Sequence, residues 1–462
     1  MKNIIILVLF VVALLPSCKF TEDKNISPND PTKVTEAVLL TNSELVTYSL
    51  YGSNFARIGG LWTQQLGVSD PSSQHAGYDV YAIDETIAEN EWNTVYSDAV
   101  RDLNDLIDLA GSKGNPYYVG MAKVLKAMAL GFATDAWGDV PSSQAGKGLE
   151  YLNPKYDPQQ SVYADIRRLF DEALVHFQTT EDENNKLPAS DDIIFGGDVA
   201  KWTAATRMLI VRYENHLSER DPANSANKVL AQIDLLGADL NSGNDMIATF
   251  GSNASSSGFW YQFESQRGYL AANSYFANML DNLSDPRLDI YYDVVRDTAQ
   301  GNIVVAADPG NPNPDASRIG SYFVQPTSPM PLVTSYEIFF VEAEAAMRAG
   351  NAARAATAYN NGIQASLSAV GITGTPASTY LAAQSRDATT ITMADILTQK
   401  YIAMFLHIET WNDYRRTGYP NITPTVTGGS VPRRLPTTQS ERVNNSNATV
   451  ISDPDVPVWW DM

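Results

Sequence analysis

Cysteine is nearly absent from this 462-residue chain; the single one is Cys18. One thiol excludes an intramolecular disulfide and any cysteine-built zinc fold. Histidine is also scarce. His75, His176, His216 and His407 show no ligand-like spacing, so each reads as a packed or capped side chain. Neither a metal nor a cofactor is expected. Basic residues are outnumbered, 32 Lys and Arg against 53 Asp and Glu, for a net charge of −21. Such a surface repels polyanions, so nucleic acid is set aside as a partner. No HExxH, GxSxG, P-loop or GxGxxG motif is present. Acids this numerous nominate no glycosidase pair on their own. Apolar runs long enough to span a bilayer are lacking as well.

What is present starts at the N-terminus. Lys2 precedes a short apolar run from Ile4 to Leu15, followed by Leu15-Pro16-Ser17-Cys18. A spanning helix needs about 20 apolar residues, so this run is the core of a signal peptide. An aliphatic residue, a small residue and then the sole cysteine look like a bacterial lipobox. Residues 1–17 are therefore expected to be removed, Cys18 to be lipidated, and 18–32 to form a tether before a single domain over 33–462. Lys19-Phe20-Thr21-Glu22-Asp23 resembles a surface-export signal of Bacteroidetes-type lipoproteins.

Helical periodicity dominates the rest. Val162, Tyr163, Ile166, Leu169, Phe170, Ala173, Leu174 and Phe177 fall on one stripe. Similar stripes run from Val95 to Ile107, from Trp202 to Leu217, and from Ile396 to Trp411. Long period-2 runs are scarce, so the fold is expected to be mainly α. A tetratricopeptide unit of about 34 residues can be laid on Tyr336–Ala369, with Gly350 at the turn. Phe339, Ala343, Ala355, Tyr359 and Gly362 then fill its large and small positions, while Glu342, Ala346 and Leu367 miss the pattern. Residues 92–109 with 117–137, and 161–178 with 198–218, read as further helix pairs. Two segments break the rhythm, 59–91 and 241–335, and are expected to be irregular loops.

Six segments stand out in order: AKVLKAMALGFATDAWGDVP (Ala122–Pro141), KWTAATRMLIVR (Lys201–Arg212), SDPRL (Ser284–Leu288), YEIFFVEAEAAMRAG (Tyr336–Gly350), the 399–420 stretch ending ETWNDYRRTGYP, and VPRRLPTTQSERVN (Val431–Asn444). Together they resemble the SusD/RagB family of outer-membrane nutrient-binding lipoproteins. Pro436-Thr437-Thr438 departs from the tyrosine-proline expected in the last. The resemblance implies a tetratricopeptide-like helical-repeat scaffold, with long irregular loops forming a ligand-binding face. It also implies a lipid-anchored protein at the cell surface, on the outer membrane. Such a protein would carry an oligosaccharide or peptide to a SusC-like TonB-dependent transporter without catalysis.

A sugar offers C–H bonds on one face and hydroxyls at its edges, so a binder needs aromatic rings outside the core. Trp92, Trp137, Trp202 and Trp411 sit on helical stripes and are assigned to packing. Trp260 and Tyr261 follow a Gly/Ser-rich loop outside any stripe. Tyr269, Tyr275 and Arg267 come soon after, and Tyr78 and Tyr81 lie in the other irregular stretch. These seven are the candidate ligand contacts. Glu342 and Glu344, at i and i+2, point to different helix faces and form no catalytic pair. Arg415 and Arg416 are expected to pair with a helix end or nearby acids. Two rival readings remain: a lipid-anchored glycoside hydrolase, and a helical scaffold that binds only proteins. Mass spectrometry of the mature protein is expected to find an acylated Cys18 at its N-terminus, and Cys18→Ser should release the protein from the membrane fraction.

Overall fold

Each apolar stripe becomes a buried helix face. The computed structural model describes residues 34–297, 301–425 and 429–462. The expected signal peptide, Cys18 and the expected tether lie outside the described residues. In chain order the helices are α1 (Glu36–Gly52), α2 (Asn54–Trp62), α3 (Gln74–Asp79), α4 (Glu89–Asn93), α5 (Arg101–Ser112), α6 (Pro116–Trp137), α7 (Gln159–Phe177), α8 (Val199–His216) and α9 (Pro222–Leu236). There follow α10 (Phe259–Gln266), α11 (Ser274–Asn282), α12 (Leu288–Tyr291), α13 (Ser335–Arg348), α14 (Ala352–Ala369), α15 (Gly374–Gln384), α16 (Met393–Ala403), α17 (Glu409–Thr417) and α18 (Gln439–Asn444). Short strands pair antiparallel: β1 (Leu66–Val68) with β3 (Leu270–Ala272), β2 (Met246–Ala248) with β6 (Met330–Val333), and β4 (Val295–Asp297) with β5 (Gly301–Ile303). The mainly helical expectation holds.

Consecutive helices pack as antiparallel pairs: α5 on α6, α6 on α7, α7 on α8, α8 on α9, and α13 on α14. The pair α13–α14 is the tetratricopeptide unit read from the sequence. Gly350 takes φ +74°, the left-handed turn expected between its helices. Phe339, Ala343, Ala355 and Tyr359 are all buried. At Gly362 a Cβ would come within 2.9 Å of the Phe340 ring, so the two helices approach only because that position is bare. Trp92, Trp137, Trp202 and Trp411 are core residues, as assigned. Between α4 and α5 the chain makes a π turn, Thr94–Val100, which interrupts the stripe without breaking the helical path.

Two expectations change. The 396–411 stripe is not one helix. It stops at α16, and Leu406 takes φ +64°, a left-handed conformation that no helix can pass through. The Gln65 side chain stabilises the break: its Nε2 donates to Tyr401 O at 2.8 Å and its Oε1 accepts from Leu406 N at 3.1 Å. Arg415 and Arg416 therefore lie inside α17 rather than beyond a helix. Likewise, the segments 59–91 and 241–335 are not wholly irregular. They hold α3 and α10–α12, each too short to show a readable period.

Charged side chains tie the helices together. Glu344 of α13, fully buried, takes ion pairs from Arg416 at 2.7 Å, Lys400 at 3.2 Å and Arg348 at 3.4 Å. Asp413 shares Lys400 and Arg416 at 2.9 and 2.8 Å. Beside them Arg212 of α8 forks onto Glu337 at 2.6 Å and also donates to Leu332 O. Arg287 and Asp285, of the SDPRL segment, form a second fork that is wholly buried. Burial pushes the Glu344 carboxyl up, but its three cations outweigh that and hold it well below the usual range. Glu409 is lowered in the same way by His216 and Arg212, against burial. A depressed carboxylate contributes stability above its unfolded value of 4.5 and loses it as pH falls toward the folded value. Acid should therefore weaken the junction of α8, α13, α16 and α17 progressively as pH falls below 4.5. Glu344→Gln should cost about 3–5 kcal/mol, because it removes the one buried carboxylate that all three cations share and leaves their charge undercompensated; a denaturant titration against the parent protein checks this.

Candidate ligand-binding face

The β1–β3 pairing joins the two long inter-helix segments. Leu66 faces Ala272 and Val68 faces Leu270, and just past them Ser69 N donates to Tyr269 O at 2.8 Å. Helix α3 follows β1 and α10 precedes β3, so both deliver side chains to one place. His75 of α3 is the hub. Its ring centroid lies 5.6 Å from Tyr78, 5.1 Å from Phe263 and 6.1 Å from Tyr269. His75 is buried, while the three rings around it are half-buried and so present edges to solvent. Burial, reinforced by the charges of Arg57 and Arg267, pushes the His75 pKa down to about 3. The imidazole is therefore neutral and acts as a packing ring. Arg57 lays its guanidinium 4.3 Å from the Phe263 centroid. Burial lowers its pKa to about 10, still charged at neutral pH, and its Nε has no partner among the described residues. Arg267 is exposed at the end of α10. Arg318 braces the base, bonding Ser69 Oγ at 2.7 Å and Glu264 at 3.0 Å.

Next to this cluster, Tyr81 and Tyr275 reach a third segment, 419–425. The Tyr81 hydroxyl accepts from Thr425 N at 3.1 Å, and Tyr275 donates to Asn421 O at 3.4 Å. Tyr81 sits at φ +61°, a strained backbone for a tyrosine that re-aims its ring. Thr425 Oγ1 donates to Asp79 O at 2.6 Å, and Gln64 Nε2 donates to Thr423 O at 2.6 Å. Asp79 itself is buried; one carboxylate oxygen accepts from Gly310 N at 2.8 Å and the other has no partner among the described residues. Burial pushes its pKa up to about 7.

The seven residues nominated from sequence are thus divided. Tyr78, Tyr269 and Arg267 gather around His75, while Tyr81 and Tyr275 hold the 419–425 segment. Tyr261 is half-buried on α10. Trp260 lies on a helix after all, since the residues after Gly258 form two turns, and its inner position buries it to 5% exposure. It lines a cavity rather than the surface. Sequence reading took His75 as a packed side chain, which it is, and did not nominate Phe263, Arg57 or Asp79. Asp79 adjoins Tyr78, and Phe263 ends the FWYQF run; nothing in the sequence marks Arg57.

One cluster has the composition of a metal site. Ligand atoms of Asp135, His216 and Glu409 lie within 4.8 Å of one another, all buried. Their bonds point elsewhere. His216 Nε2 meets Glu409 at 2.8 Å, while Nδ1 faces Tyr163 Oη at 3.0 Å and Asp135 at 3.5 Å. Asp135 also accepts from Trp460 Nε1 at 2.9 Å. His216 bridges the two carboxylates, and Tyr163 and Trp460 both donate to Asp135, so the groups form a hydrogen-bonded charge network.

Residues 28–437 match the SusD-like family, described as starch-binding and associating with the outer membrane. Among solved structures, a chitin-binding protein superposes with TM-score 0.79 at 23% identity, over 93% of this chain and 100% of that one. A SusD/RagB family protein from Bacteroides thetaiotaomicron gives TM-score 0.75 at 23% identity, over 93% and 99%. A chitin-binding SusD homolog from Flavobacterium johnsoniae gives 0.74 at 19%, over 92% and 98%. At these identities the likeness is one of fold. No curated protein matches the sequence.

Asp79 generates a pH prediction. Its folded pKa of about 7 exceeds the unfolded 3.8, so its contribution to stability is full below 3.8 and is lost as pH rises through 7. Asp79→Asn should remove that slope. The variant should gain on the parent as pH rises, on the order of 1 kcal/mol or more by pH of about 8, which thermal melting across a pH series would reveal.

Proposed function

The chain belongs to the SusD-like family, and from that premise we propose that it is a lipid-anchored cell-surface protein that binds an oligosaccharide without altering it and passes it to a TonB-dependent outer-membrane transporter. The observation that carries the binding role is the cluster of half-buried rings, Tyr78, Phe263 and Tyr269, assembled from two distant segments around buried His75. Sugar C–H faces stack on such rings, and the rings are rigid at little entropic cost. Arg267 and Gln74, both exposed beside them, would bond hydroxyls at the edges of the sugar. We assign stacking to Tyr78 and Tyr269 and edge contacts to Arg267 and Tyr261. Tyr81 and Tyr275 would act by holding the 419–425 segment in place.

The delivery role is supported by the family and by the architecture. Paired helices leave a rigid scaffold that would dock on the barrel, and a lipid at Cys18 would keep the protein beside it. A shallow, preformed aromatic face suits modest affinity and quick release. That is what a carrier feeding a transporter requires.

Two measurements test this. Tyr78→Ala and Tyr269→Ala should each weaken binding of a starch- or chitin-derived oligosaccharide by about tenfold, roughly 1.4 kcal/mol, in calorimetric titration. Wild-type levels of binding in both variants would remove the face from consideration. Affinity purification from solubilised outer membranes should retrieve a large β-barrel protein; its absence would count against delivery. The oligosaccharide should come back intact, whereas shortened products would favour the hydrolase reading.

A further inference from the structure

Under α10 lies a cavity of about 290 Å³ that is separate from the ring cluster around His75. Its roof carries Phe259 and Trp260, and its floor Tyr291, Ala403 and Leu406. The roof tryptophan and all three floor residues are buried. The mouth is at the surface, where Pro329 and Ala369 are exposed and Tyr322 and Val370 half-buried.

The mouth is spanned by one hydrogen bond. Tyr322 donates to Ala369 O, at the end of α14, over 2.6 Å. Tyr322 belongs to a proline-rich flap, which is held in shape by Ser328 Oγ donating to Tyr322 O at 2.7 Å. The flap is pinned to α10 by Gly258 N donating to Pro326 O at 2.8 Å. Breaking the Tyr322 bond alone would free the near edge and leave the pin in place.

The lining decides what could enter. Polar groups are few, and most of them are already engaged by the chain. Asp245 accepts from Ser335 N at 2.7 Å. Ser366 donates to Ile363 O and accepts from Arg287. His407 bonds Leu332 O and accepts from Glu409 N. Tyr291 donates to Ile402 O at 3.0 Å. A sugar placed here would bury hydroxyls without partners, at about 1–3 kcal/mol each. Neither Lys nor Arg is among the lining residues, so an anion would find no counter-charge. An engineered apolar cavity of about 150 Å³ stays dry and holds a benzene ring. This one is nearly twice that size and is walled mainly by aromatic and aliphatic side chains.

We propose that the cavity is a second binding site, for a neutral apolar compound of about two fused rings, admitted when the Tyr322–Ala369 hydrogen bond opens. It is chemically distinct from the oligosaccharide face and does not depend on it.

The test uses naphthalene as the probe with the full mature chain, read by calorimetry and by tryptophan fluorescence. Saturable binding of one probe per chain is expected. Val370→Trp, at the mouth, and Ala403→Leu, at the floor, should each weaken it about tenfold or more. Tyr322→Phe should keep the affinity within a few-fold and speed association. Oligosaccharide binding by the Val370→Trp protein should equal that of the parent, which shows that the variant is folded. The proposal is overturned if the parent shows no saturable binding. It is also overturned if both filling variants bind as the parent does, or if Tyr78→Ala rather than Val370→Trp abolishes the signal.

Discussion

A carboxylate with no access to water has to be surrounded by cations, and Glu344 organises the protein on that condition. It sits in the middle of α13 and meets Arg416 from α17, Lys400 from α16 and Arg348 from its own next turn. Through Asn215 and Arg212 the network continues into α8, and through His216 and Glu409 to Asp135 of α6. Apolar packing alone would allow these helices to slide against one another. Fixed ion pairs in a low-dielectric interior permit far fewer arrangements, because each displaced charge would be left unpaired. Such a junction favours one geometry more than it adds net stability.

That geometry then determines where the loops can go. The chain cannot run straight from α16 into α17, because His407 and Glu409 must both turn inward toward the network. The break at Leu406 follows, and Gln65 bonds both sides of it. Gln65 immediately precedes β1, so the same residue that caps the break starts the strand that pairs with β3. The ring cluster around His75 is thus tied to the charge junction through β1 and the two hydrogen bonds of Gln65. The 419–425 segment leaves α17 and returns to the same loops through Thr423 and Thr425. A face built on such supports needs little rearrangement to meet a ligand.

Two surfaces of opposite chemistry lie on either side of α10. Its Phe263 side carries half-buried rings with charged and amide groups beside them, suited to a molecule that is part apolar and part hydroxylated. Its Trp260 side closes over a cavity whose polar atoms are few and mostly bonded already. One two-turn helix, FWYQFESQ, supplies aromatic residues to both because its four rings, at 259, 260, 261 and 263, fall on more than one face. The helix is held where it is by its tertiary contacts, since a segment this short has little helical stability of its own.

Sequence alone determined the repeat and the class of fold. Phe339, Ala343, Ala355, Tyr359 and Gly362 spell a helix pair because alternating large and small residues at helical spacing mark the two faces that meet. The stripe of α7 needed no partner to be recognised, and the motif tryptophans declared themselves as core by their period. Tyr78, Tyr269 and Arg267 were legible as candidates because aromatic and basic residues stood outside any stripe. Their meeting point was not, since it depends on β1 and β3, each three residues long and without a period of its own. Only the tertiary structure decided that Trp260 turns inward, that His75 is the hub, that Leu406 breaks a helix, and that Glu344 lies among three cations. Each of these depends on which distant groups share a space without water, and residue spacing along a chain carries no record of that.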